Sequence, residues 1–410
     1  MKVAVMGCGT VGSGAVEILE NKKELLAAKC GEPVELKYIL DIRDLSDRPY
    51  GKKAVKDIGL ITGDPEIGVV VETMGGLKPA FDFCLQCLNA GKSVVTSNKE
   101  MVAVKGDELL AAARANNVCF DFEAAVCGGI PLIRTMFSDL GANRLTGFDG
   151  IMNGTTNFIL TKMIKEKMSF DTALKLAQEL GFAEKDPTAD VEGIDACRKT
   201  AILASIAFGT HVLPEEIPTE GITKITLEDA AYAADANAEI KLICRAERLP
   251  DGKVYAAVCP AFVSRSTMIA NVSGVNNAVA VRGDSVGEVF LYGPGAGKEA
   301  TASAVIGDVL SCVRLKKNED HYYWAPHREG VLCEKGENTV SLYVRGYAKH
   351  METAAREIRE TFDSVRFLSR DNAPANELAF ITGKGKEKDL FEAVGEIRDF
   401  ASASVIRVLS

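Results

Sequence analysis

The first twelve residues limit the fold more than any other stretch of this chain. An apolar run over 2–6 ends directly on Gly7-Cys8-Gly9-Thr10-Val11-Gly12, and an amphipathic helical pattern follows over 11–20. A G-x-G-x-x-G that closes a strand and opens a helix is the fingerprint of a dinucleotide-binding unit. Its first glycine permits the tight turn, its second lets the backbone approach a pyrophosphate, and its third lets helix and strand pack closely. The helix N-terminus then offers N–H groups and the positive end of its dipole to the phosphates. Gly7, Gly9, Thr10, Val11 and Gly12 are therefore candidate cofactor-binding residues.

The pattern repeats over the next hundred residues. Short apolar runs at 34–40, 68–72, 93–96 and 118–122 alternate with helical patterns at 79–90 and 107–116. That alternation predicts a doubly wound parallel α/β sheet, a Rossmann fold. The second strand ends near Asp41-Ile42-Arg43. An acidic residue there holds a ribose 2′-hydroxyl and favours NAD, whereas an arginine pairs with a 2′-phosphate and favours NADP. Arg43 tips the expectation toward NADP, with NAD through Asp41 or two solvated turn charges as the alternatives. Residues 72–76 and 96–100 fall at the carboxyl ends of strands, where such sheets bind ligands. Lys99 is placed there to reach the cleft, unless it only opens the next helix.

Composition closes off several classes of function. A net charge of −9 gives no basic face for nucleic acid or an anionic membrane. No apolar stretch approaches the length of a transmembrane helix. The opening residues read as a buried strand and not as a signal peptide, so a cytoplasmic location is expected. The 11 cysteines form no paired framework. Cys84 and Cys87 sit inside a helical pattern, so they read as reduced thiols and not as a redox or metal pair.

From about 130 the character changes. Helices are expected at 130–140, 157–168, 170–180 and 191–208, and a capping box at 226–229 opens another that runs to about 248. Strands are expected at 254–259, 278–282 and 288–292, followed by the loop 293–297. The charged stretch 316–320 marks a boundary. Beyond it the order is strand 339–344, helix 351–361, strands 364–370 and 377–382, helix 388–397 and strand 404–408. That is the βαββαβ order of ferredoxin-like small domains.

The chemistry concentrates at 180–199. Pro187 and an acidic cluster make 184–190 a loop, and Asp195 and Lys199 share one helical face. A surface salt bridge is one reading of such a pair. The apolar run that follows buries the helix, however, and a lysine at its mouth beside carboxylates can serve as a general acid at a carbonyl oxygen. A thioester-forming dehydrogenase would need a nucleophilic cysteine paired with histidine. None of the 4 histidines sits in such a motif, and His211 reads as packing a helix end. A non-catalytic cofactor sensor would have no need of a proton donor at Lys199.

In order and spacing, 7–12, 96–99, 123–131, 153–157, 184–199 and 293–305 together resemble the homoserine dehydrogenase family over roughly 1–315. The resemblance implies NAD(P)H-dependent reduction of L-aspartate 4-semialdehyde to L-homoserine. Lys199 would donate the proton and Lys99 would assist near cofactor and substrate. Glu184, Asp190 and Asp195 would hold the substrate ammonium group, with Thr155 adding a hydrogen bond, and Gly297 would join the cofactor site. Glu123, with the carbonyls of Val126, Gly128 and Ile130, would coordinate a sodium ion. The implied domains are a Rossmann domain at 1–130 completed by 290–315, an α+β substrate and dimerisation domain at 131–315, and an ACT-like regulatory domain at 335–410. A homodimer or homotetramer is implied, with a small-molecule substrate. The loop that usually frames an ACT effector is replaced by Arg345-Gly-Tyr-Ala-Lys-His350. Effector binding and subunit pairing both remain open for that domain.

Overall fold

The computed structural model describes residues 1–315 and 322–409. The chain begins β1 (Lys2–Met6), α1 (Thr10–Asn21), α2 (Lys23–Cys30), β2 (Glu35–Leu40), β3 (Ala54–Val55), α3 (Gly59–Thr62), β4 (Ile67–Glu72), α4 (Ala80–Asn89), β5 (Ser93–Thr96), α5 (Lys99–Ala115) and β6 (Phe120–Asp121). These six strands form one sheet in the order β3-β2-β1-β4-β5-β6, and every pairing is parallel. The order reverses between β1 and β4, so the glycine turn after β1 stands at the switch point where such sheets bind ligands. Val3, Val5, Val69, Val71 and Val95 bury one face of the sheet against Val16 and Leu19 of α1.

The middle of the chain runs β7 (Leu145–Ile151), α6 (Gly154–Glu166), α7 (Phe170–Glu179), α8 (Thr188–Val191), α9 (Ile194–Phe208), α10 (Leu227–Asp235), β8 (Ala238–Arg248), β9 (Val254–Ser264), β10 (Asn276–Gly283), β11 (Gly287–Pro294) and α11 (Lys298–Leu315). The last stretch is β12 (Thr339–Ala348), α12 (Met351–Thr361), β13 (Val365–Leu368), β14 (Glu377–Thr382), β15 (Gly385–Lys386), α13 (Glu387–Glu396) and β16 (Phe400–Leu409). The chain divides into two compact units. One holds Met1–Thr146, Ala201–Pro214 and Val281–Arg328; the other holds Gly147–Thr200, Glu215–Ala280 and the chain from Glu329 onward.

Within the first unit, α11 returns to the Rossmann core. Val305 and Val309 join the cluster beneath α1, and Lys298 donates to Glu17 at 2.6 Å. His211 is buried against Trp324, and its Nε2 lies 2.9 Å from the Ala103 carbonyl. That is a packing role. Cys84 and Cys87 are buried in α4, where burial pushes the Cys87 thiol up to about 12. None of the 11 cysteines is in a disulfide.

Within the second unit the sheet runs β10-β7-β8-β9-β16-β12-β14-β13. Its last four strands, with α12 and α13, are an antiparallel βαββαβ module whose core includes Leu342, Ile358, Phe380 and Leu390. Strand β16 also pairs parallel with β9, Arg407 opposite Ala261 and Leu409 opposite Val263, so the module continues the sheet before it.

Several expectations need correcting. Residues 238–248, expected as helix, are the eleven-residue strand β8. Asn237 takes a positive φ of 55° and ends α10, and β8 then pairs with β9 along its whole length. The helix expected over 191–208 is broken at Gly193 into α8 and α9. The helix expected over 130–140 is shorter, helical over 133–139 with a π-helical turn at Thr135–Asp139. Helix α5 starts at Lys99 and not near 107, because Asn98 caps it by accepting from Met101 N. Strand β12 continues to Ala348, through the segment expected as a loop. The charged stretch 316–320 lies outside the described residues, as does His321.

Candidate active site

In the first unit the glycine turn is built by close approach. Gly7 has φ +86°, and a Cβ on Gly12 would stand 1.9 Å from the Gly7 carbonyl oxygen, so neither position admits a side chain. A Cβ on Gly9, by contrast, would meet nothing within 4 Å. Gly9 is the N-cap of α1 with no side-chain cap, so the N–H groups of Thr10, Val11 and Gly12 are left for another acceptor. Open space above an uncapped helix N-terminus fits a pyrophosphate. Gly297, at φ +115° before α11, likewise has open space where a side chain would stand.

Asp41 follows β2 and is buried, and its carboxylate is fully engaged. It accepts from Cys8 N at 2.7 Å, from Arg43 N and Nε at 2.9 Å, and from Arg43 Nη2 at 2.6 Å. The Arg43 guanidinium holds the Asp41 carboxyl well below the usual carboxylate range. Asp41 thus locks the glycine turn and orients Arg43, whose side chain is 56% exposed.

At the end of β4, Glu72 accepts from Met74 N at 2.7 Å and from the Thr96 hydroxyl, while burial pushes its carboxyl up. Thr96 Oγ1 in turn accepts from Asn98 N at 2.9 Å, and Asn98 donates to the Gly76 carbonyl at 2.6 Å. This network fixes the loop from which Lys99 opens α5.

In the second unit, Lys199 is 8% exposed. Its Nζ donates to Asp195 Oδ2 and to the Met152 carbonyl, each at 2.7 Å. Asn153 caps α6 by accepting from Thr156 N, and its Nδ2 donates to Asp190 Oδ1 at 2.6 Å and Asp195 Oδ2 at 2.9 Å. Burial raises the Asp190 carboxyl, Asp195 raises it further, and the Asn153 hydrogen bond and the Lys199 charge oppose the rise. Thr155 Oγ1 donates its proton to the Phe182 carbonyl at 2.8 Å. A buried ammonium group, two carboxylates and a bridging amide can hold a cationic substrate group and deliver a proton.

Lys199, Asp195, Asp190 and Thr155 are therefore brought together, and Glu184 is not. Glu184 stands exposed, with its carbonyl accepting from Gln178, and its side chain takes no part in the cluster's hydrogen bonds. Asn153 was missed as a site residue. Its only local signal is an asparagine before the Gly-Thr-Thr that starts a helix, a pattern any N-cap shows.

The 123–131 loop has its own logic. Glu123 accepts from Leu132, Ile133 and Arg134 N at 2.6–2.8 Å, so its carboxylate caps the helical turn beyond it. Burial pushes that carboxyl up and those three N–H groups oppose the shift. Among the described residues no cluster of three or more His, Cys, Asp or Glu side chains is arranged to hold a metal ion. The carboxylate of Glu123 is already used, so it does not fit a metal-ligand role; a cation here would draw on carbonyl oxygens.

Joined in one chain, this Rossmann turn and this buried lysine–aspartate cluster fit a nicotinamide-dependent oxidoreductase. Family models described as "Homoserine dehydrogenase, NAD binding domain" and "Homoserine dehydrogenase" match residues 7–123 and 131–310. A homoserine dehydrogenase from Synechocystis sp. is 41% identical over the full length of both chains. The crystal structure of a homoserine dehydrogenase from Thiobacillus denitrificans is 35% identical, with a TM-score of 0.89 over 100% of this chain and 98% of that one. A hyperthermophilic archaeal homoserine dehydrogenase in complex with NADPH is 29% identical, with a TM-score of 0.67 over 78% of this chain and 99% of that one. The chain belongs to the homoserine dehydrogenase family. No helix among the described residues is long and apolar enough to cross a membrane.

Proposed function

We propose that the 152–199 cluster is the substrate half-site of a homoserine dehydrogenase, in which Lys199 is the general acid that protonates the aldehyde oxygen of L-aspartate 4-semialdehyde. The observation that carries this reading is the burial of Lys199 between Asp195 Oδ2 and the Met152 carbonyl. Those two acceptors hold the ammonium group aimed. When bound, the reduced nicotinamide supplies hydride to the carbonyl carbon. Asp190 and Asp195 hold the substrate ammonium group, Asn153 sets their spacing, and the Thr155 oxygen, its proton given to Phe182, adds an acceptor. Gly7, Gly9, Thr10, Val11, Gly12 and Gly297 form the phosphate cradle, and Lys99 assists from the start of α5.

NADP is the preferred cofactor in this reading. The Asp41 carboxylate is spent on Cys8 and Arg43, so it is a poor acceptor for a ribose hydroxyl, whereas the Arg43 guanidinium, held on Asp41 through Nε and Nη2, is exposed and keeps Nη1 for a 2′-phosphate. The test is absorbance of reduced nicotinamide with L-homoserine and NAD or NADP supplied separately. Arg43→Ala is expected to lower kcat/KM with NADP relative to NAD by roughly 10- to 100-fold, the worth of a charge-assisted hydrogen bond or two. A ratio unchanged by the substitution would remove Arg43 from the site.

The raised Asp190 carboxyl also sets a pH dependence. The ionised form, which binds an ammonium group, is present above its pKa and is lost as pH falls through it. Asn153→Ala removes a hydrogen bond that opposes the rise. The acid limb of kcat/KM for homoserine therefore moves to higher pH, and an active variant with an unmoved limb would count against the assignment. A sodium ion at 123–131 would use the carbonyls of Glu123, Val126, Gly128 and Ile130. Self-association into a dimer or tetramer belongs to the same reading, and light scattering checks it.

A further inference from the structure

Lys241 lies on β8 and is 2% exposed. Its Nζ donates to the Val272 carbonyl at 2.6 Å and to Asn157 Oδ1 at 3.3 Å. Burial draws its ammonium down to about 8, so the charge is kept at a cost. The loop it supports, 272–276, carries no ionisable side chain.

That loop runs along one face of α6. Asn157 Nδ2 donates to the carbonyls of Val272, Gly274 and Asn276 at 3.0–3.4 Å. Thr161 Oγ1 accepts from Gly274 N at 3.2 Å, and Lys165 Nζ donates to Ser273 Oγ at 2.8 Å. Gly154 opens the helix against the same loop: a Cβ there would stand 2.5 Å from the Val275 carbonyl oxygen. Residues 154, 157, 161 and 165 form one stripe of the helix, at spacings of three and four. The residue just before Gly154 is Asn153, whose amide bridges Asp190 and Asp195.

We propose that Lys241 is a positioning residue for the substrate cluster, acting through the 272–276 loop and the first turn of α6. The proposal rests on the reading of 152–199 as the substrate half-site. Asp195 and Lys199 share α9, so their separation survives a shift of α6. What shifts is the Asn153 amide, with the Met152 carbonyl beside it, and so the spacing of the carboxylates and the aim of the proton donor. A misplacement of about 1 Å at a catalytic group can cost on the order of 100-fold. Lysine suits the position because it is the close donor to the Val272 carbonyl, which otherwise keeps only the longer bond from Asn157, and no apolar side chain could replace it.

The test is steady-state kinetics on the full-length enzyme carrying Lys241→Met, which keeps much of the apolar bulk and removes the donor. KM for homoserine is expected to rise about fivefold or more and kcat to fall roughly tenfold, while KM for NADP stays within about twofold. A merely structural role would lower the folded fraction without moving either KM. Thr161→Val, which removes one link between α6 and the loop, is expected to raise KM for homoserine about threefold. A folded Lys241→Met with wild-type KM and kcat for homoserine overturns the proposal. If that variant does not fold, an unchanged homoserine KM in Thr161→Val overturns it instead. Lys199→Ala separates the two readings. Turnover that survives there removes the half-site and this proposal with it, whereas turnover that collapses there while Lys241→Met behaves as wild type removes only this proposal.

Discussion

Replacing Lys199 with alanine is expected to lower kcat for homoserine oxidation by roughly 100- to 10,000-fold, the range a positioned general acid–base contributes. Binding of NADP should stay within about twofold, because the phosphate cradle is built from the first unit's glycine turn and α1, which make no use of Lys199. Two measurements settle it: single-turnover absorbance of reduced nicotinamide, and fluorescence titration of the cofactor. Loss of both activities together would point to a damaged fold, and loss of neither would remove Lys199 from the chemistry. Asp195 loses its ammonium partner in this variant and keeps the Asn153 amide, so some loss of thermal stability accompanies the loss of rate.

Arg345→Met is expected to have the largest effect on stability, a loss of about 3–5 kcal/mol. Arg345 leaves β12 pointing inward, and its Nε donates to Asp229 Oδ1 at 2.9 Å. Asp229 is fully buried and also closes the capping box of α10 with Thr226. The Tyr343 hydroxyl donates to the same oxygen at 3.0 Å, and Arg345 Nη1 lies 3.6 Å from Glu377. Removing the guanidinium leaves a buried carboxylate without its cation, which costs far more than an exposed pair would. Urea unfolding followed by circular dichroism measures the loss. Adding Asp229→Asn to Arg345→Met should recover part of it, because the uncompensated charge is gone. A single variant within about 1 kcal/mol of wild type would show that the pair is not what joins the C-terminal module to α10.

Those two residues illustrate different degrees of legibility. The Asp195–Lys199 pair announces itself through spacing of four residues ahead of an apolar run. Arg345 does not. Read along the chain, 345–350 is a departure from an expected loop; in the fold it is a continuing strand, and its arginine meets a carboxylate 116 positions away. Spacing within a helix is a local quantity, and a pairing across that separation is not.

The same division runs through the secondary structure. The capping box at Thr226 was readable because its two hydrogen bonds close within four residues. The end of the helix was not. Residues 238–248 are rich in Ala, Glu, Lys, Leu and Arg, which favour helix by a few tenths of a kcal/mol each. Eleven residues of pairing to β9 outweigh that preference. Glu123 shows the effect at a site: the family resemblance implies a cation ligand, and the fold turns its carboxylate to three backbone N–H groups as a helix cap.

Short-range physics therefore carried the glycine turn, the alternation of strand and helix, the βαββαβ order of the last module, and the lysine–aspartate pair. Each depends on backbone conformation or side-chain spacing over a few residues, and such preferences survive whatever the rest of the chain does. Tertiary structure alone decided that Asp41 is spent on Arg43 and Cys8, that Asn153 bridges the two carboxylates, that Glu184 stands apart from them, and that Lys241 lies beneath α6. Those outcomes depend on which distant groups are buried together, since a buried charge or amide takes the partner the fold provides.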